Sequence, residues 1–153
     1  MLSRPKGFNA FLMMKLPSAY FCGVRLKSVN NETCVTTVKY KWINQNPFNS
    51  MFWAVQGMAA ELSTGALTLG YIREAGVSVS MLVANNKASF TKKAKGRVKF
   101  TCNDGLAMKK AIDQTIATGE GQVCWMHADG IDEDGDVVSS FAFEWTVKRK
   151  KSK

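Results

Sequence analysis

Apolar positions along the chain switch between a helical period and a strand period. Between residues 7 and 16, Phe8, Phe11, Leu12 and the run Met14 to Leu16 recur at helical spacing, and Pro17 ends the run. This predicts a short N-terminal helix that packs as a lid or strap. Phe21 to Val29 and Thr33 to Ile43 read as strands, the second with Val35, Thr37, Lys39 and Lys41 facing one way and Thr36, Val38, Tyr40 and Trp42 the other. Asn30-Asn31-Glu32 between them suits a hairpin turn, because Asn tolerates positive φ.

From Ser50 to about Thr68 the period is helical again. Met51, Val55, Met58 and Leu62 form one stripe, and Phe52, Ala59 and Ala66 form a second beside it. A helix apolar over most of its circumference is buried by a sheet or a second subunit. Asn49 or Ser50 is placed to cap it, and Asn46-Pro47 turns the chain in. Strands follow at Val77 to Val83, Lys87 to Phe90 and Arg97 to Cys102, then an amphipathic helix from Leu106 to Ile116. Val123 to Ala128 and Val137 to Val147 are the last strands, joined through an Asp134-Gly135 turn. An antiparallel sheet curled around one central helix satisfies this order, since one hydrophobic helix needs one concave apolar face.

Composition narrows the class. The chain has 153 residues, 46% of them hydrophobic, which supports one folded domain and excludes wholesale disorder. The domain is assigned to residues 1–147, with a basic tail at 148–153. The net charge of +9 is unevenly placed. Residues 87–110 carry eight basic side chains and one acid, whereas 113–144 carry eight acids and no base. Cys22, Cys34, Cys102 and Cys124 show no CxxC spacing and His127 is the single histidine, so structural zinc is not expected and the cysteines read as reduced core thiols. Arg4 and Lys6 ahead of Phe11 to Met14 only faintly imitate a signal peptide, and no stretch reaches the roughly 20 apolar residues of a membrane span. A cytoplasmic location follows as the expectation.

Two groups of residues invite chemistry. Asp132, Asp134 and Asp136 alternate as calcium ligands do, but Gly135 is misplaced for an EF-hand loop and the twelfth-position Glu is missing, so a solvated hairpin is expected. Glu61 is the only charge between Ser50 and Tyr71. A carboxylate in an apolar helix needs a partner, a water or a function. Stepping back by 4, 3 and 4 residues from Glu61 gives Gly57, Ala54 and Ser50, which on a helix share one face. That face is a shallow channel floored by small side chains, suited either to an extended ligand or to close helix-to-sheet packing with Glu61 bonded to a neighbour. Asn44, Asn46 and Asn49 crowd the helix entrance, where backbone N–H groups favour oxyanions.

Asn46 lies fifteen residues before Glu61. Gly76-Val77-Ser78-Val79-Ser80, the Pro17-x-Ala19-x-Phe21-x-Gly23-Val24-Arg25 segment and the closing hairpin from Ala128 to Trp145 complete a set of short motifs. Over residues 8 to 147 these resemble the hotdog-fold thioesterases, in particular the branch similar to phenylacetic-acid-type acyl-CoA thioesterases and proteins with a DUF4442-like pattern. The resemblance implies an α+β hotdog fold, an antiparallel sheet wrapped around one long central helix, in a homodimer or dimer of dimers with its site between subunits. It implies that Glu61 is the general base or nucleophile, that Asn46 and Ser78 position water or substrate, and that backbone N–H groups near Phe52 and Trp53 polarise the thioester carbonyl. Ser50, Ala54 and Gly57 would floor the substrate channel, and Lys92, Lys93, Lys95 and Arg97 would meet the phosphates of coenzyme A, which enters as substrate; no cofactor or metal is expected. Many members carry His-Gly-Gly where this chain has Phe52-Trp53-Ala54. That departure favours the alternative, a non-catalytic acyl- or lipid-binding hotdog protein. A nucleic-acid module is disfavoured because Trp42, Trp53, Trp125 and Trp145 lie in apolar patterned segments.

Overall fold

Phe8 and Leu12, one turn apart on α1 (Pro5–Lys15), are both buried, so the first helix is fastened by one apolar edge. The computed structural model describes residues 5–151. Asn9 pins α1 further: its side-chain amide donates to the carbonyl of Leu26 at 3.1 Å and its oxygen accepts the Leu26 N–H at 2.9 Å. A short α2 (Pro17–Phe21) occupies the start of what reads in the sequence as a strand, because Pro17 suits a first helical turn. β1 (Arg25–Val29) and β2 (Cys34–Lys39) then form the expected hairpin, with Asn30 accepting N–H groups from Glu32 and Thr33.

β2 stops at Lys39 rather than Ile43. Buried Asn44 ends it, its amide donating to the carbonyls of Cys22 and Lys39, both at 2.9 Å, and its oxygen accepting the Lys41 N–H at 2.8 Å. Residues 42–44 turn as a single 3-10 helix and leave Trp42 82% exposed. Of the tryptophans, only Trp145 is buried, so the patterned-segment expectation fails for the other three.

The long helix α3 spans Trp53–Ala75 and ends where Gly76 takes φ 67°, a left-handed stop that a residue without Cβ adopts readily. β3 (Val79–Phe90), β4 (Arg97–Cys102), α4 (Gly105–Thr118), β5 (Gln122–Ile131) and β6 (Val137–Arg149) follow. β3 is one strand where two were expected; a register shift between Val83 and Asn85 absorbs the break in its pattern. β6 runs past Val147 to include Lys148 and Arg149, so the basic tail begins later than its charges suggest.

All six strands form one antiparallel sheet in the order β1-β2-β4-β5-β6-β3. Its inner face offers Val98, Phe100, Met126, Ala128, Phe141 and Trp145 to Val55, Ala59, Leu62 and Ala66 of α3, all buried. Burial of each such large aliphatic or aromatic side chain contributes roughly 1.5–3 kcal/mol. The Phe100 ring packs onto the Gly130 backbone, where a Cβ would sit 2.5 Å from it. Polar groups at the helix–sheet interface are paired across it. Thr36 donates to the Ala59 carbonyl at 2.6 Å, Ser139 to Gln56 at 2.8 Å, and the Trp145 indole to the Thr64 hydroxyl at 2.9 Å. This is the hotdog arrangement, a sheet wrapped around one long helix. Among the described residues, no helix is long and apolar enough to cross a membrane.

Candidate active site

α3 begins three residues later than its apolar pattern, so Ser50 is not on the helix. Residues 46–51 form their own loop. Asn46 bonds the Ser50 carbonyl through its N–H at 2.8 Å, its side-chain oxygen accepts the Phe48 N–H at 2.9 Å, and its side-chain amide meets the Ser50 hydroxyl at 3.0 Å. Asn49 holds positive φ of 57°. Met51 and Phe52 are extended, donating to the Ala94 and Asn44 carbonyls at 2.9 and 2.8 Å. The three asparagines therefore shape the entrance: one ends β2, one ties the loop and one takes its left-handed turn. Neither Asn49 nor Ser50 caps α3. Phe52 occupies the cap position without a side-chain bond, and among the described residues the N–H groups of Trp53 and Ala54 have no acceptor. The Phe52 N–H, by contrast, is engaged.

The helix face that the sheet leaves partly open carries Ala54, Gly57, Glu61 and Gly65. Below Gly57 lies Phe141, 3.5 Å from where a Cβ would stand, and below Gly65 lies Trp145 at 3.4 Å. The glycines at 57 and 65 thus let two aromatic rings pack closely against α3, and of this face only Glu61 and Gly65 line a cavity.

Two cavities flank this part of α3, and Ala54 and Gly57 line neither. The first, about 550 Å³, lies at the N-terminal end of α3 and includes Asn46, Ser50, Phe52, Trp53, Phe90 and Lys93 in its lining. Trp53, Phe90 and Phe141 make successive edge contacts, with ring centres 6.4 and 5.7 Å apart, which carry an aromatic wall from the helix start onto the sheet. The second, about 220 Å³, holds Glu61 and Gly65 opposite Phe11 and Lys15 of α1 and Met81 of β3. Glu61 stands eight positions after Trp53 on the helix, about 12 Å of rise. Within one chain, then, Asn46 and Glu61 line separate cavities. Ser78 stands exposed just before β3, where its carbonyl accepts the Lys150 N–H at 2.8 Å, and it lines neither cavity.

Glu61 is partly buried among apolar groups, and no hydrogen bond or ion pair to its carboxyl is found among the described residues. Burial pushes its pKa above the ordinary carboxylate range, since desolvation disfavours the charged form.

The basic candidates part company. Lys92 and Lys93 line the first cavity. The Lys92 ammonium, however, sits on the acidic turn, 2.7 Å from Asp132, 2.7 Å from Asp136 and 3.3 Å from Asp134. The three carboxylates are gathered around a lysine of the β3–β4 connection, a partner the local pattern could not name. Lys93 lies 5.9 Å from the centre of the exposed Phe48 ring. Lys95 is exposed and outside both linings. Arg97 alternates with buried Val98 and so projects from the outer sheet face, beside Lys27 and Lys99. Crowding by Lys99, and then by Arg97, lowers the Lys27 pKa.

Three cysteines match the core-thiol expectation, and Cys22 does not, being half-buried after α2. Burial pushes the Cys102 thiol up to about 12 and Cys34 higher still.

Several solved structures share this architecture across nearly their whole length. A protein from Pseudomonas aeruginosa described as a probable thioesterase superposes with a TM-score of 0.81 at 19% identity, covering 97% of this chain and 98% of that one. A protein from Chlorobaculum tepidum gives 0.81 at 15% identity, covering 95% and 94%. A thioesterase from Haemophilus influenzae gives 0.71 at 12% identity, covering 97% and 93%. At such identities the likeness establishes the fold. No curated protein matches the chain. Residues 5–147 match the family described as "Domain of unknown function (DUF4442)", and the chain belongs to that family.

Proposed function

We propose that the protein hydrolyses an acyl thioester of coenzyme A, with Glu61 as the general base. The observation that carries this reading is the Glu61 carboxyl itself: unpaired among the described residues, half-buried on a face of small residues, and opening into an apolar cavity. A carboxylate whose pKa is raised by burial is a stronger base once ionised, and its value moves toward the working pH. The free N–H groups at the start of α3 are the donors available to a developing oxyanion. Lys93, which lines the first cavity and is not held by the acidic turn as Lys92 is, supports this reading as the cation that would meet a phosphate.

The site is completed by a second copy of the chain in this reading. Among the described residues β3 is paired on one side only, by β6, and its twelve residues leave an open edge bearing exposed Leu82. A long open edge invites pairing with another strand. A partner there would bring its own elements against the α3 face, which explains why Asn46, Ser78 and Glu61 are not gathered within one chain. Positioning roles for Asn46 and Ser78 belong to that assembled site.

Thiol release from a panel of acyl-CoAs, measured for the wild type and Glu61→Gln, tests the proposal; equal rates in the two proteins refute it. The aromatic wall of Phe52, Trp53 and Phe90 favours a second reading, an acyl-binding protein without turnover. Native mass spectrometry separates the two, because a retained acyl ligand that is never hydrolysed supports the binder.

A further inference from the structure

The cavity at Glu61 has walls that the thioester reading leaves unused. Its roof is α1 and the residue after it. Phe8, Phe11 and Leu16 share its lining with Leu62 and Leu69 of α3 and Met81 of β3, and among the described residues Glu61 and Lys15 are its only charged groups. Such a lining, apolar apart from a carboxyl and an ammonium, suits a hydrocarbon chain whose functional end meets the carboxyl.

The roof is held in place. Both ends of the Asn9 amide bond the backbone of Leu26, and Phe8 and Leu12 anchor α1 in the core. Phe11, on the adjacent helix face, is only partly buried and has the Arg73 guanidinium 5.0 Å from its ring centre. α1 is therefore fixed by one edge while another supplies the cavity's ceiling.

Resting on the thioester reading, we infer that this cavity is the acyl-chain chamber, that it accepts a medium-length saturated chain, and that Phe11 sets its depth. The space, about 220 Å³ and open on one side, has room for several methylene groups beneath Phe11. Phe11 is a specificity-determining residue here, and its ring takes no part in the chemistry.

Calorimetric titration with non-hydrolysable acyl-CoA thioethers of rising chain length tests the inference, with free fatty acids of the same lengths titrated in parallel. Wild-type affinity should rise roughly fourfold per carbon, the equivalent of about 0.8 kcal/mol per buried methylene, until the chamber fills. The break should move two or three carbons longer in Phe11→Ala and shorter in Met81→Phe, each confirmed as folded by circular dichroism. An unmoved break in both variants, or no chain-length dependence in either ligand series, overturns the inference. The two readings fail separately. A break that shifts for the fatty acids while acyl-CoAs are never hydrolysed overturns the hydrolase and keeps the chamber; hydrolysis abolished by Glu61→Gln with an unmoved break does the reverse.

Discussion

Gly65→Ala places a methyl group between the candidate base and the sheet, and its effects on stability and on titration have opposite functional value. Gly65 lies inside α3, where alanine is favoured over glycine by about 0.8–1.0 kcal/mol. The added Cβ would stand 3.4 Å from a Glu61 carboxyl oxygen and 3.4 and 3.5 Å from Trp145 ring carbons. These are van der Waals contacts at their near limit, so little strain offsets the helical gain. The expected stabilisation is about 1 kcal/mol, or a Tm rise of roughly 2–4 °C for a chain of this size. The same methyl removes solvent from Glu61, whose pKa burial already raises, and so pushes it further up. A carboxyl raised in the folded state binds its proton more tightly there than in the unfolded chain. Its stabilising contribution is complete at low pH and is lost as pH rises through the folded value. The Tm gain should therefore be larger at pH 5 than at pH 8, while the rising limb of hydrolysis shifts to higher pH. Thermal melts at both pH values and an acyl-CoA pH–rate profile check this. A Tm lower than wild type at pH 5, or a limb that does not move, refutes the reasoning.

Glu61→Gln should lower acyl-CoA hydrolysis by about 10²–10⁴-fold, and it should raise stability relative to wild type increasingly as pH climbs from 5 to 8, measured by urea denaturation at each pH. Trp145→Phe removes the indole donor from the buried Thr64 hydroxyl and should cost about 1–3 kcal/mol in the same assay; pairing it with Thr64→Val should recover part of that loss in a double-mutant cycle. Lys92→Met leaves Asp132, Asp134 and Asp136 facing one another without their cation, so Tm should fall slightly at low salt and recover at high salt. Because Lys92 holds the Asp132 carboxyl below its ordinary range, its benefit is present above the unfolded carboxylate value and is lost as pH falls through the folded one. The wild-type advantage should vanish in acid; a gap that persists there contradicts the ion-pair account.

Periodicity was informative wherever one local rule governed a segment. α3 was visible because an apolar circumference over so many residues can be satisfied only by burial, and Glu61 stood out against it. The β1–β2 and β5–β6 hairpins followed from Asn and Asp-Gly turn chemistry. The strand breaks were less legible. β2 ends early because the Asn44 amide captures backbone groups from Cys22 and Lys39, two segments apart in the chain. Nothing in the local pattern marks one asparagine as an anchor and the next as a loop tie. β3 looked like two strands because Asn85 and Asn86 interrupt its apolar run; β6, alongside it, supplies the ladder that keeps it continuous.

Side-chain period and the cost of burying charge were enough to reveal the long apolar helix and the isolated carboxylate on it, though not the short α2 or the continuity of β3. Tertiary structure decided what surrounds that carboxylate. Phe11 and Lys15 reach Glu61 from some fifty residues earlier in the chain, Gly65 opens onto Trp145, and Lys92 is drawn to an acidic turn forty residues away. Each of these depends on which faces meet once the sheet curls around the helix. Side-chain period says which face is buried; only packing says against what.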